Sequence, residues 1–306
     1  MPTTQKTICS EITPLYHSWK QAVEEVKKAK DSFQNAGAED NLQTLKENLK
    51  QALIKAQTAK EAYFKKKEEN TQYEDKTIIL KDALILEYYQ DVGINNWEEE
   101  NGRVTYLNLN DKDLSHKDNP PFPDGLQTLS LDRVTPPADI TFPDGLQWLS
   151  LNKATLPKNI TFPDGLQWLY LKGVELPLNI SFSDSLQGLY LDEAKLPSNI
   201  TFPDGLQSLS LERAKIPPNI SFPDGLQVLR LNGATLSPNI TFPDGLQTLW
   251  LNGATLPSNI IFPDGLQTLS LDRVTLPENT TSEEWQEKLR EYRQRNPDVT
   301  IYGVNI

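Results

Sequence analysis

Phe142-Pro-Asp-Gly-Leu-Gln-Trp-Leu-Ser-Leu151, continued by Asn152-Lys-Ala-Thr-Leu-Pro-Lys-Asn-Ile-Thr161, is one copy of a block that returns every twenty residues. Further copies open at Phe122, Phe162, Phe182, Phe202, Phe222, Phe242 and Phe262. With the irregular unit Val104-Thr-Tyr-Leu-Asn-Leu109 ahead of them, the chain holds about nine units, well above the three or so that a stacked array needs. Within each block the spacing Leu-x-x-Leu-x-Leu (Leu146, Leu149, Leu151) ends in a Leu-x-Leu of period two. Both of those leucines therefore point to one side of a short strand, and the residue between them points to the other. Pro-Asp-Gly just ahead is turn chemistry: proline presets φ, aspartate bonds its own backbone and glycine admits positive φ. Prolines at both ends of the short return stretch exclude a helix there.

One strand per block, always reached from the same kind of turn, makes the strands parallel and stacks them at about 4.8 Å. The return arm, extended or 3₁₀-like, carries the recurring phenylalanines and Leu-Pro pairs opposite the sheet. Only neighbours in the stack can bury these side chains, each worth roughly 1.5–3 kcal/mol, so the period is strict. The expected fold is α/β: a solenoid whose parallel sheet curves into a horseshoe of about nine units over 104–280.

The blocks FPDGLQxLxLxxAxLPxNI resemble the leucine-rich-repeat family, in the short LP-containing form found in effectors that intracellular bacteria deliver into host cells. The resemblance implies a concave sheet that binds protein partners, and a chain that works in a host cytoplasm without an appended ligase domain. One departure stands out. The asparagine usual after the strand is replaced by Val134, Ala154, Val174, Ala194, Ala214, Ala234, Ala254 and Val274, so the family's asparagine ladder is not expected. Asn159, Asn179, Asn199, Asn219, Asn239 and Asn259 in the return arm are the candidates to bond backbone groups instead.

Outside the blocks the pattern changes. Leu15, Trp19, Ala22, Val23, Val26 and Ala29, then Leu42, Leu45, Leu49, Ala52, Leu53 and Ala56, follow helical spacing on either side of Gly37, which predicts a helical hairpin over 1–76. Residues 77–103 are similar to the caps that open many leucine-rich-repeat arrays, with a helix that covers the open edge of the first strand. At the far end, 281–306 reads as a closing cap: a helix from Ser282 through Gln294 with Trp285, Leu289 and Tyr292 inward, then a strand to Tyr302, with no room for a catalytic domain. Acidic residues in the first turn and Arg290, Arg293 and Arg295 towards the end suit the helix dipole, although Ser-x-x-Glu is not met at Ser282.

Positions that vary from block to block while facing outward are free to encode a partner. The first such position reads Thr128, Trp148, Trp168, Gly188, Ser208, Val228, Thr248, Thr268, and the second Ser130, Ser150, Tyr170, Tyr190, Ser210, Arg230, Trp250, Ser270. Trp148, Trp168, Tyr170 and Tyr190 thus make an aromatic patch with a notch at Gly188, and Arg230 with Trp250 a smaller pair. Asp192 and Glu212, at the strand exits beside the patch, complete the expected partner-binding set. Exposed Trp, Tyr and Arg are the side chains enriched at binding hot spots. A second reading is structural, with the rings tiling the sheet and stacking on one another.

Other functions are disfavoured. Net charge is −12, of which residues 104–306 carry −9 (15 basic, 24 acidic), so phosphate backbones and anionic membrane surfaces are repelled and no nucleic-acid partner is expected. No run approaches the roughly 18 apolar residues of a membrane span, and the start lacks the apolar stretch of a secretory signal. Cys9 is the lone cysteine, which fits a reducing, cytosolic compartment. With His17 and His116 the only histidines, no His/Cys metal site is expected, nor any cofactor. Asp192, Glu193 and Glu212 have the chemistry of a general acid/base pair, but Lys172, Lys195, Arg213 and Lys215 make them part of a solvated charge mosaic, and no enzymatic activity is expected. Asn-Ile-Thr/Ser triplets match the glycosylation acceptor pattern only because the block repeats. The expected function is a protein-binding module, an effector that engages or inhibits a host protein or another effector. The alternative is a scaffold that oligomerises through its N-terminal helices.

Overall fold

The computed structural model describes residues 96–100, 103–112, 114, 122–277 and 280–304, with single positions between 17 and 62. The chain divides into two compact units, Met1–Lys81 and Asp82–Ile306. In the first, the described residues from His17 to Lys28 and from Asn48 to Ala62 are helical, Ala22 and Ala52 are buried, and Lys55 Nζ lies 2.7 Å from the Glu25 carboxylate. The expected turn at Gly37, the rest of the hairpin and the cap helix before Trp97 lie outside the described residues.

The second unit is built on one 11-stranded sheet in chain order. Strand β1 (Trp97–Glu100) pairs antiparallel with β2 (Arg103–Asn108), and every later pairing is parallel. The middle strands are three residues each: β3 (Thr128–Ser130), β4 (Trp148–Ser150), β5 (Trp168–Tyr170), β6 (Gly188–Tyr190), β7 (Ser208–Ser210), β8 (Val228–Arg230), β9 (Thr248–Trp250) and β10 (Thr268–Ser270). Their register follows the sequence period, Leu149 opposite Leu169 and Leu169 opposite Leu189. The array is a parallel-sheet solenoid with little helix.

Leu126, Leu129 and Leu131 and their equivalents through Leu251 are fully buried or nearly so, one column per position, while the phenylalanines close the opposite side. Phe122, Phe142, Phe162 and Phe182 stack at centroid spacings of 6.3–6.4 Å, and Phe202, Phe222 and Phe242 do so again. The return arms turn on a bond from the isoleucine N–H to the carbonyl three residues back, as from Ile160 to Pro157 at 3.3 Å and from Ile240 to Ser237 at 3.1 Å. Short parallel bridges join neighbouring arms at Glu175–Lys195–Lys215 and Thr235–Thr255–Thr275.

One expectation about turns is corrected. The Pro-Asp-Gly turn forms, with Leu146 N–H donating to Pro143 O at 3.1 Å, but among its glycines only Gly265 has positive φ. At some of the other coils the demand on glycine is steric: a Cβ at Gly205 would lie 2.6 Å from Asp184 O in the preceding coil, and at Gly225 3.0 Å from Asp204 O. The left-handed residue comes after the strand instead, at Arg133, Lys153, Gly173, Glu193, Arg213, Gly233, Gly253 and Arg273. Its N–H donates to the next coil, as from Lys153 to Lys172 O at 2.7 Å.

A side-chain ladder does exist, two positions earlier than the family pattern implies. Asn110 Oδ1 accepts the N–H of Asp132 (2.7 Å), Asp132 Oδ1 that of Asn152 (2.8 Å), and Asn152 Oδ1 that of Lys172 (2.9 Å). It resumes from Asp192 to Glu212 (3.0 Å), Asn232 to Asn252 and Asn252 to Asp272 (2.9 Å each). The same oxygens take the hydroxyls of Ser130, Ser150, Ser210 and Ser270, which satisfies these buried serines. In the return arm, Asn199 and Asn259 donate to the carbonyls of Leu178 and Pro238 at 3.2 and 2.7 Å.

Helix α1 (Ser282–Arg295) closes the far end. Its start is a capping box one residue earlier than sought, between Thr281 and Glu284, and these bonds hold the Glu284 carboxyl below its usual range. Trp285, Leu289 and Tyr292 are buried, with Trp285 and Tyr292 edge-on to Phe262. Asn296 bonds Gly265 N–H and Asp264, and β11 (Thr300–Tyr302) pairs parallel with β10. At the other end it is β1 that pairs with the outer edge of β2.

The Tyr292 hydroxyl donates to Pro263 O at 2.7 Å, and burial with the nearby Asp264 charge pushes its pKa up to about 12. The unfolded chain loses this proton first, near pH 10, so stability falls as pH rises from about 10 to 12, by roughly 2–3 kcal/mol in total. Urea titrations of wild type and Tyr292→Phe at both ends of that window should show the gap between the two proteins closing on the alkaline side.

Candidate functional site

The strands present two outward columns. The first runs Tyr106, Thr128, Trp148, Trp168, Gly188 and onward, and the second Asn108, Ser130, Ser150, Tyr170, Tyr190, Ser210, Arg230, Trp250, Ser270, Tyr302. Because neighbouring columns share register, rings on adjacent strands meet. Tyr170 and Tyr190 lie parallel at 4.4 Å (1°), Trp148 packs on Tyr170 at 4.9 Å (41°), and Trp168 on Tyr190 at 6.5 Å (24°). The four form one interlocked cluster on the outer side of the sheet, above the leucine core rather than within it. They are half-buried by one another, not bare. Burial pushes the Tyr170 phenol up.

The notch expected at Gly188 is filled. The six-membered ring of Trp168 lies over that glycine, so closely that an added Cβ would collide with Cε3 and Cζ3. Gly188 is thus the seat that lets the indole lie flat on the sheet.

Arg230 and Trp250 come together as expected, with the guanidinium 5.6 Å from the indole centroid, a cation–π geometry. Trp250 is 37% exposed, and Tyr302, two strands further on, is 56% exposed in the same column. Tyr302 was not among the candidates read from sequence. The available signal was the alignment of Thr300-Ile301-Tyr302 with Thr268-Leu269-Ser270.

Asp192 and Glu212 sit beside the rings but carry structural bonds. Asp192 accepts the Glu212 N–H and the Ser210 hydroxyl, and Glu212 Oε1 accepts from Asn232 Nδ2 at 2.9 Å. Along this exit edge several charges are paired within the chain: Arg133 with Asp111, Lys172 and Arg213 with Glu193 (3.3 and 3.5 Å), Arg273 with Asp272 (2.9 Å). The Arg133 hydrogen bond holds the Asp111 carboxyl below its usual range. Among the described residues there is no group of three or more His, Cys, Asp or Glu side chains arranged to hold a metal ion, and no helix long and apolar enough to cross a membrane.

No protein-family model matches the chain, and no curated protein matches it either. Among solved structures, it is similar to YopM from Yersinia enterocolitica WA-314, at 18% identity and a TM-score of 0.28 over 52% of this chain and 45% of that one. The chain therefore spans less than half the length of that structure. What defines the array as a parallel-sheet solenoid is its own register, with buried leucines aligned strand upon strand every twenty residues.

Proposed function

We propose that the outer face of the sheet docks a protein and that the chain is a non-enzymatic binding module. The observation that carries this is internal to the array. Where one coil has Tyr170 or Tyr190, others have Ser130, Ser210 or Ser270, and where one has Trp148 or Trp168, others have Thr128 or Thr248. Those coils keep the same strand, the same register and the same buried leucines. The fold does not need the rings, so a role outside the fold accounts for four of them side by side. Four half-buried rings side by side on the outer side of the sheet make an apolar patch of the kind that marks an interaction site.

Short LP-containing blocks, a single cysteine and an acidic surface favour a more specific version: an effector that acts in a reducing cytoplasm by covering a functional surface of a host protein or of another effector. Asp192 and Glu212 then flank the contact, and Arg230, Trp250 and Tyr302 extend it.

Replacing the cluster with the residues of other coils (Trp148→Thr, Trp168→Thr, Tyr170→Ser, Tyr190→Ser) is expected to leave the melting temperature within a few degrees of wild type. Hot-spot rings contribute about 2 kcal/mol each, so losing even one should weaken binding roughly 30-fold. Affinity capture from host lysate with wild-type and replaced baits at equal concentration checks this. Identical captures by two equally folded baits would sink the docking face.

A further inference from the structure

Resting on that docking reading, we propose that the partner presents a basic surface, with lysine or arginine side chains set against this sheet. The two flanks of the sheet differ in a way that selects the partner's charge. On the exit flank, the two positions after the leucine that ends each of β3 to β10 hold five basic and five acidic side chains, which balance in number and pair in part within the chain. On the other flank, the turn leading into each strand places one aspartate per coil, from Asp124 to Asp264, all of them exposed. Parallel register holds these carboxylates in a row, about one strand spacing apart. Among the described residues, none of Asp144, Asp164, Asp184, Asp204, Asp224 and Asp244 forms an ion pair.

The rings point to the same chemistry. The face of an indole attracts a guanidinium or ammonium through its quadrupole, and this chain already uses that contact twice, Arg230 over Trp250 at 5.6 Å and Lys288 over Trp285 at 5.8 Å. A partner with cationic side chains meets the outward side of the ring cluster over β4 to β6, the part-exposed Trp250 on β9, and a line of carboxylates from Asp144 to Asp244 that form no ion pair among the described residues. An acidic partner, a nucleic acid or an anionic membrane meets repulsion along the same line.

The test uses the full chain and two fluorescein-labelled amphipathic helical peptides of about 15 residues. They share one leucine- and tryptophan-bearing face and differ only in lysine against glutamate on the polar face. Fluorescence anisotropy in about 0.05 and 0.3 M NaCl spans the range in which screening becomes strong. The lysine peptide should bind at least roughly tenfold tighter than the glutamate peptide, with the gap shrinking in the higher salt. The Asp144→Asn, Asp164→Asn, Asp184→Asn, Asp204→Asn variant should lose most of that preference, and the four-ring replacement should lose binding. Equal binding of the two peptides, or binding of neither, overturns the charge assignment. So does an asparagine variant that keeps full preference for lysine, and in that case rings that still matter leave the docking face standing. A ring-replaced protein that holds the lysine peptide as tightly as wild type overturns the docking face itself, leaving only diffuse attraction.

Discussion

Replacing Leu189 with alanine is expected to destabilise the array by roughly 2–5 kcal/mol and to break its unfolding into two steps. Leu189 is fully buried and lies in register between Leu169 and Leu209, which are themselves fully buried. In a stacked array each coil is stabilised only by its neighbours, so a cavity in the middle weakens two interfaces at once and uncouples the halves. Urea unfolding followed by tryptophan emission should show a lower midpoint and a shallower slope. The slope change matters, because a smaller surface unfolds in each step. An unaltered transition would mean that the leucine column is not what holds the coils together.

The second large effect is expected at Gly188. Alanine there puts a methyl group where the Trp168 ring lies, and the ring also rests on Tyr190. Backbone on one side and Tyr190 on the other leave the indole only an outward path. Gly188→Ala should cost roughly 1–3 kcal/mol through overpacking, red-shift tryptophan emission as the indole enters water, and weaken near-ultraviolet circular dichroism. Placing Gly188→Ala in a Trp168→Thr background should recover most of the stability relative to Trp168→Thr alone, since the clash has no second partner. No recovery would show that Gly188 serves the backbone and not the ring.

Much of this architecture was legible because the period is strict. Twenty-residue spacing with Leu-x-Leu dictates parallel strands in register, and register dictates which variable side chains become neighbours. Trp148, Tyr170 and Tyr190 could therefore be placed together before any coordinates were known. What escaped depends on relations between coils. Glycine after Pro-Asp reads as a need for positive φ, yet at Gly205 the constraint is the carbonyl of Asp184 in the coil before it. Gly188 reads as empty space, but an indole on the adjacent strand has more to gain from lying down than from standing in water. Asp132, Asn152 and Asp192 read as polar and therefore free, while one oxygen of each is committed to the next coil. Only side chains with an oxygen at that reach can make the bond, which explains the recurrence of Asn and Asp there. Tyr302 escaped because a closing strand is read for its pairing and not for its outward face.

The ladder, the turns and the leucine columns all repeat with the same step. A stretch of coding DNA made of near-identical sixty-nucleotide units is prone to slippage and unequal recombination, which add or delete whole units. Losing residues 222–241 would bring β7 beside β9 with the strand register and leucine columns kept, and would remove Arg230 from the outer column. Changes of length thus rewrite the outward surface by whole columns while leaving the protein foldable, a route to new partners that point mutation alone does not open.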